Sequence, residues 1–131
     1  MTNIPENFHY TKEHEWVHEV SEGVVRFGIT DYAQEALGDI VFVTLPRVGE
    51  TISAGAPCGE IESTKSVSDI FAPIDGIVVH RNDKVETSPE TINQDAYGNG
   101  WIADVEVSGG AVHAQEHLLD AAAYRAFLSE A

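Results

Sequence analysis

The sequence predicts a β-rich fold, either a β-sandwich or a flattened barrel, with short flanking helices. Many short apolar or alternating stretches are separated by glycine and proline turn signals, which is typical of antiparallel strands. Most connections are too short for a crossover helix, which disfavours parallel βαβ units. No low-complexity segment or linker divides the 131 residues, so we expect a single domain over residues 1–131.

The strands are predicted in order along the chain. Residues 14–20 and 24–30 flank a turn at 21–23, which predicts a hairpin. Residues 39–45 form a continuous apolar run closed by Pro46, which predicts a buried strand. Shorter strands are expected at residues 49–55, on both sides of 63–66, at 76–80 and at 100–107.

Two helices are predicted beside these strands. The first covers residues 31–37, because Thr30 can cap its N-terminus and Gly38 can end it. The second covers residues 121–128 at the C-terminus, where Asp120 can act as the N-cap. Both helices are short, so we expect them to flank the sheets.

The charge balance restricts the kinds of partner. Twenty-two acidic residues against seven basic ones give a net charge of −15. Nucleic acids and anionic membranes attract clustered lysine and arginine, so a chain this acidic is not expected to bind either. Basic protein surfaces are the expected partners, although simple solubility is an alternative reason for the charge.

Other features of the composition indicate a cytoplasmic protein. No apolar run approaches the roughly 20 residues that cross a membrane, and the first residues do not form a signal peptide. Cys58 is the single cysteine, so neither an internal disulfide nor a multi-cysteine metal site can form. Cys58 is expected to pack as a small apolar residue.

The sequence predicts neither a metal site nor a catalytic site. His14 and His18 would share a face only on a helix, and their segment is a predicted strand. The spacing of His113 and His117 is compatible with a helix, but we attribute it to chance. Ser66 and Ser68 have no persuasive histidine and aspartate partners, so a nucleophilic enzyme is not supported. An independent hydrolase or metal enzyme is the contrasting hypothesis, and no convergent cluster supports it.

Turn residues are arranged almost symmetrically around Lys65. Pro57 lies eight residues before this lysine and Pro73 lies eight residues after it. The symmetry predicts a hairpin over about residues 56–73, with Lys65 at its tip. Lysine is scarce, because the chain has only Lys12, Lys65 and Lys84.

A lysine at a rigid hairpin tip suits a carrier protein. Modifying enzymes can reach its amine, and amide formation removes the charge, so an attached arm can lie on apolar surface without an ion's desolvation cost. The alternative is an ordinary solvated lysine in a turn. Without other signals around the lysine, this alternative would be the preferred interpretation. The symmetric frame around Lys65 favours the carrier.

Seven motifs occur in a fixed order: HEWV at 14–17, GITDYAQ at 28–34, LGDIVFV at 37–43, ESTKSVSD at 62–69, APIDG at 72–76, YGNGW at 97–101 and LDAAAY at 119–124. Together they resemble the H-protein family of the glycine cleavage system along nearly the whole chain. Each motif alone is a weak signal, but their order makes the resemblance specific.

The resemblance implies a lipoyl/biotinyl-domain-like fold and lipoic acid in amide linkage on Lys65. It implies a non-catalytic carrier in glycine catabolism and one-carbon metabolism. The implied partners are glycine decarboxylase, a tetrahydrofolate-dependent aminomethyltransferase, dihydrolipoyl dehydrogenase and a lipoate-attaching enzyme. The family also suggests a soluble monomer.

The resemblance also implies roles for individual residues. In this family the lipoyl arm, when it carries an aminomethyl group, folds into a surface cleft. Glu15 matches the family's acidic residue near the amine of this loaded arm. Without the resemblance, we would interpret Glu15 as a solvent-facing strand glutamate. Ala36 replaces a histidine that some members carry near this cleft. Trp16 is a candidate for the cleft wall, but four aromatic residues are most simply interpreted as core: Trp16, Phe42, Phe71 and Trp101.

Two further acidic residues flank Lys65. Acidic residues near the lysine of lipoyl domains help the attaching enzyme to recognise it, which implies this role for Glu62 and Asp69. The alternative is that they are two of the many surface acids. Glu60 and Asp69 could also face each other across the hairpin, which would be unfavourable, so its register stays open.

Other carrier functions remain as alternatives. A lipoyl-relay protein, which donates lipoyl groups to other lipoyl-dependent complexes, would use the same lysine. A biotin carrier is disfavoured, because that family flanks its lysine with methionine and Lys65 lies between Thr64 and Ser66. A degenerate member that acts only as an interaction module is disfavoured by the intact motifs.

Overall fold

A computed structural model describes residues 3–107 and 118–130 of the chain. Within these residues the strands are β1 (His9–Tyr10), β2 (Glu15–Ser21), β3 (Val24–Ile29), β4 (Ile40–Thr44), β5 (Thr51–Ile52), β6 (Pro57–Ser63), β7 (Val67–Phe71), β8 (Gly76–Arg81) and β9 (Ala103–Glu106). The helices are α1 (Asp31–Leu37), α2 (Lys84–Thr87), α3 (Glu90–Gln94) and α4 (Ala121–Glu130).

The strands form two antiparallel sheets. The larger sheet has the strand order β1-β2-β3-β9-β8-β5, and the smaller sheet has the order β4-β6-β7. This confirms the predicted β-rich fold with short helices, including the one at the C-terminus. Within residues 3–107 and 118–130, the two sheets stay separate and do not close into a barrel.

One apolar core joins the two sheets. The larger sheet contributes Val17 and Phe27, and the smaller sheet contributes Val43, Ile61 and Ile70, all of them buried in one cluster. Alternation along the antiparallel strands explains this, because every second side chain of a strand points to the same face. The opposite face of the smaller sheet is therefore the one that can meet solvent.

A second, aromatic cluster attaches α4 to the larger sheet. Tyr10 of β1 stacks on Tyr124 of α4, with ring centroids 4.6 Å apart. Trp16 of β2 belongs to the same cluster, and its indole N–H donates to the carbonyl of Ala96. The cluster fixes the start of β2, and the neighbouring residues of β2 build the candidate site described below.

Local capping explains the position of α1. The Thr30 side chain accepts a hydrogen bond from the Ala33 N–H, and the Gly38 N–H donates to the Gln34 carbonyl. Gly38 has φ +80°, a left-handed conformation that favours glycine and ends the helix. The predicted helix over residues 31–37 is therefore confirmed with its predicted caps.

Several strand predictions were wrong in detail. The prediction of a buried strand at 39–45 fails for Phe42, which is exposed, because the register shift at Val41 places Phe42 on the outward face of β4. The segment 49–55 contains only the two-residue strand β5. The helices α2 and α3 were missed, because helices of four and five residues are too short to show helical periodicity.

No helix in residues 3–107 or 118–130 is long and apolar enough to cross a membrane.

Candidate functional site

Lys65 lies in the short connection between β6 and β7. The Ser63 N–H donates to the Ser66 carbonyl at 2.8 Å, which closes the hairpin directly around Thr64 and Lys65. The Ser63 hydroxyl accepts from the N–H groups of Lys65 and Ser66, both at 3.2 Å. The serines of this segment thus satisfy the backbone of a tight turn, and Lys65 is left exposed.

The hairpin tip is anchored against the end of α1. The Thr64 N–H donates to the Asp39 carbonyl at 3.0 Å. A Cβ atom on Gly38 would lie 3.2 Å from Lys65 Cε and 3.7 Å from Lys65 Nζ, so the lysine side chain runs beside this glycine. Gly38 therefore both ends α1 and leaves room for the lysine.

A cleft begins next to this lysine. Its volume is about 170 Å³, and its walls come from the start of β2, from β3 and α1, and from the hairpin. The lining residues are Glu13, His14, Glu15, Ile29, Tyr32, Ala33, Ala36, Leu37, Ile61, Ser68 and Asp69. Lys65 is not one of these residues, but its side chain runs beside Gly38, which directly follows the cleft residue Leu37.

Glu15 is the buried carboxyl group in the cleft wall. It is only 2% exposed, so the alternative of a solvent-facing glutamate is wrong. The Thr11 hydroxyl donates to Glu15 Oε1 at 2.7 Å, and the backbone N–H of Phe71 also donates to this carboxyl. Burial raises the Glu15 pKa to about 8 against the effect of these two hydrogen bonds, so the group carries a proton at neutral pH.

A tight turn at residues 11–14 aims this part of the chain at the cleft. The His14 N–H donates to the Thr11 carbonyl, and His14 has φ +73°, an uncommon conformation for a residue other than glycine. His14 Nδ1 lies 2.8 Å from the Tyr124 hydroxyl, which also lies 2.9 Å from Thr30 Oγ1. Tyr124 of α4 thus supports the strained residue beside Glu15.

Sequence reasoning missed His14 and Tyr32 as cleft residues. Their rings contact each other with centroids 4.7 Å apart. Burial lowers the pKa of His14, which favours its neutral form. A positive φ at a histidine leaves no mark in the sequence pattern, and the available signal was that His14 and Tyr32 belong to the motifs HEWV and GITDYAQ.

The acidic residues near Lys65 lie on the outer face of the smaller sheet. Glu62 is placed between Phe42 of β4 and Val67 of β7, and Glu60 lies directly opposite Asp69. The register that the sequence left open is therefore the unfavourable one, with two like charges facing each other. Asp69 lies at the sheet edge and also lines the cleft.

Two other residues from the sequence analysis lie in different surroundings. Ala36 lines the cleft. Trp16 is buried among Tyr10, Tyr124 and the residues packed on them, and it does not line the cleft, so its proposed place in the wall was wrong. Neighbouring strand residues point to opposite faces, which explains why Glu15 and Trp16 separate.

Metal ligands do not converge in the part of the chain that the structure describes, where no group of three or more histidine, cysteine and carboxylate side chains is found. His113 and His117 lie outside the described residues. Cys58 packs against the core, and burial raises the pKa of its thiol to about 12.

Comparison with known proteins gives consistent matches over most of the chain. Residues 8–131 match the family model "Glycine cleavage H-protein". A glycine cleavage system H protein of Mycobacterium avium (strain 104) is 54% identical over 132 residues, which cover 99% of this chain and 100% of that protein. One of Mycobacterium tuberculosis (strain ATCC 25618 / H37Rv) is 51% identical over 134 residues, with the same coverage.

A solved structure matches the fold as well. The crystal structure of a glycine cleavage system H protein from Mycobacterium marinum is similar with a TM-score of 0.86 and 46% sequence identity. The match covers 96% of this chain and 99% of that chain.

Proposed function

This chain belongs to the glycine cleavage H-protein family, which acts as the lipoyl carrier of glycine cleavage, and from that premise we propose that Lys65 carries lipoic acid in amide linkage. The observation that carries the proposal is an exposed lysine at a hairpin tip, whose side chain runs beside Gly38, the residue after the cleft residue Leu37. We take residues 1–131 as a single carrier domain that is monomeric, cytoplasmic and not itself catalytic.

The residues around Lys65 fit a lipoyl group. The exposed amine is accessible to an attaching enzyme, and amide formation removes its charge. Ile29, Leu37 and Ile61 give the cleft an apolar wall that suits a hydrocarbon arm. Glu15 supplies the buried carboxyl group in this wall, which suits a bound cation.

The proposed cofactor supplies the chemistry of the carrier. When attached to Lys65, a lipoyl group would supply a two-electron disulfide–dithiol couple for carrying an aminomethyl group, and the proposed partners are glycine decarboxylase, a tetrahydrofolate-dependent aminomethyltransferase and dihydrolipoyl dehydrogenase. The part of this chain is to present Lys65 to these partners and to a lipoate-attaching enzyme, and to shelter what Lys65 carries.

Glu15 is proposed to hold a cationic amine in the cleft. Its carboxyl group keeps a proton while the cleft holds no cation, because burial disfavours the charged form. A nearby ammonium favours the carboxylate, so Glu15 releases its proton and makes a charge-assisted hydrogen bond. The apolar wall around this contact excludes the water that would hydrolyse the carried group.

Glu62 and Asp69 are proposed to help the attaching enzyme recognise Lys65. They come from the two strands that flank the tip, on the outer face of the smaller sheet. A positively charged rim around the active site of the attaching enzyme would pair with them and orient the lysine.

The central test is lipoyl attachment measured by intact mass and peptide mapping. Incubation with a lipoate–protein ligase, lipoate and ATP should add one lipoyl group at Lys65. Lys65→Arg should abolish the gain, whereas the control Lys84→Arg should keep it. Folded wild-type protein that gains no mass, or gains it at another lysine, would refute the attachment site.

A second test concerns Glu15. Glu15→Gln should shorten the lifetime of the loaded arm, because a neutral amide does not form an ion pair with an ammonium. Glu13→Gln is the matched control, since Glu13 also lines the cleft but is exposed. Equal lifetimes in the wild type and in Glu15→Gln would rule out the proposed role.

A further inference from the structure

A patch of exposed apolar residues lies beside the tip of the hairpin. It consists of Val41, Phe42, Glu62 and Val67, and we call it the tip patch. The apolar members are exposed by 52%, 53% and 59%, respectively. Glu62 lies between Phe42 and Val67 in the strand register, so the apolar groups flank a carboxylate.

The backbone of β4 produces part of this exposure. The pairing of β4 with β6 shifts by one residue between Ile40 and Phe42, so Val41 is the extra residue of a β-bulge. Ile40 is buried on one side of the bulge and Val43 on the other, whereas both residues between them lie at the surface. The Phe42 ring is therefore not part of the buried core. A polar residue at this position would not leave a cavity.

Negative charge borders the tip patch on one side. The next row across the same sheet face contains Thr44, Glu60 and Asp69, with the two acids directly opposite each other. A partner that covers this face must neutralise these charges, so basic side chains around an apolar recess would complement it. The net charge of −15 would speed the approach of such a surface.

We propose that the tip patch is the docking surface for the lipoate-attaching enzyme, which contacts it through an apolar recess flanked by lysine or arginine side chains. This inference rests on the proposed attachment at Lys65 and adds the surface through which the enzyme is recruited. In this proposal, Phe42 and Val67 contribute most to the affinity for the enzyme, and the acidic residues orient the enzyme as it approaches.

The attaching enzyme is the proposed partner because its active site must come close to Lys65. Enzymes that act on the end of a long arm can work at a distance from the hairpin. The attaching enzyme meets the chain before any arm exists, so its active site must reach the Lys65 amine itself. Val67 is two residues from Lys65. Asp39 directly precedes β4, and its carbonyl accepts a hydrogen bond from Thr64 at the tip. An enzyme that reaches the Lys65 amine therefore covers the tip patch.

The experiment measures attachment kinetics with a lipoate–protein ligase, lipoate and ATP over a range of protein concentrations. Phe42→Thr should raise the KM for the protein about tenfold, and Val67→Thr should raise it about threefold, with kcat unchanged, because truncation of an apolar contact weakens docking. The matched control is Val48→Thr, since Val48 is also 59% exposed but follows the far end of β4.

The outcomes separate this inference from the proposed function. Wild-type protein that gains no lipoyl group at Lys65 would refute both. Normal attachment to the wild type, with Phe42→Thr and Val67→Thr equal to it, would overturn the docking surface alone. An equal rise in KM for Val48→Thr would also overturn it. Threonine keeps the β-branched shape of valine, so Val67→Thr decides the matter even if Phe42→Thr fails to fold.

Discussion

The two sheets of this protein differ in what covers their outer surfaces. Tyr10 and Trp16 of the larger sheet are buried in an aromatic cluster under α4. On the smaller sheet, Phe42 and Val67 stay exposed beside acidic residues. The larger sheet therefore gains stability from its large side chains, whereas the smaller sheet keeps comparable groups accessible to partners.

This difference separates the sources of stability and function. Substitutions at the aromatic cluster should lower the free energy of unfolding, because they remove buried contacts. Substitutions on the outer face of the smaller sheet should change partner recognition with little loss of stability. The cleft lies where the two sheets meet, so its residues should show both effects.

The largest effect is expected for Trp16→Ala. It removes a fully buried indole and the hydrogen bond to the Ala96 carbonyl, so the free energy of unfolding should fall by about 3–5 kcal/mol. Urea unfolding measures this change. The control Phe42→Ala removes an exposed ring and should cost less than about 1 kcal/mol. Similar losses in the two variants would contradict the distinction between the sheets.

Glu15→Gln should change how stability depends on pH. The pKa of Glu15 rises from 4.5 to about 8 on folding, so the unfolded chain loses this proton first. The wild type therefore loses stability as pH increases from about 4.5 to about 8, by an amount on the order of a few kcal/mol. The glutamine does not titrate, so the free energy of unfolding of the variant should rise relative to that of the wild type across this range.

Urea unfolding of both proteins at several pH values between these limits tests the prediction. All other titrating groups are shared, so the difference between the two free energies of unfolding isolates Glu15. A constant difference from pH 5.5 to 8.5 would show that the folded protein does not hold this proton.

Tyr124→Phe should have a smaller effect. It removes the hydroxyl group that is hydrogen-bonded to His14 Nδ1 and Thr30 Oγ1, at a cost of about 1–2 kcal/mol. The control Tyr32→Phe keeps its ring contact with His14 and should change stability by less than about 0.5 kcal/mol. The prediction fails if thermal and urea unfolding give the same stability for Tyr124→Phe and the wild type.

The sequence could predict those features that depend on local signals. The caps of α1, the strands around Lys65 and the β-rich class all follow from residues close together in the chain. Pro57 and Pro73, eight residues from Lys65 on either side, indicated the hairpin correctly, but they do not pair with each other: Pro57 lies opposite Phe71, and the strand pairs are centred between Thr64 and Lys65.

The rest of the site depends on contacts between distant segments. The cleft combines Glu15 of β2, Leu37 of α1 and Ile61 of β6, and no local pattern brings these residues together. Strand alternation leaves open which face of β2 is buried, so Glu15 was not recognised as buried from the residues alone. The bulge at Val41 likewise follows from pairing with β6, which explains the wrong prediction for Phe42.

The smallest effect is expected at the like-charged pair in the smaller sheet, and it has the opposite sign. Glu60→Gln relieves repulsion with Asp69 across the β6–β7 pair, so the free energy of unfolding should rise by about 0.2–1 kcal/mol. Added salt should shrink this gain. The control Glu19→Gln lies opposite Val25 and should give no such gain in urea unfolding. If Glu60→Gln is instead neutral at low salt, the like-charged pair does not lower the free energy of unfolding. The acidic outer face of the smaller sheet would then serve recognition without destabilising the fold.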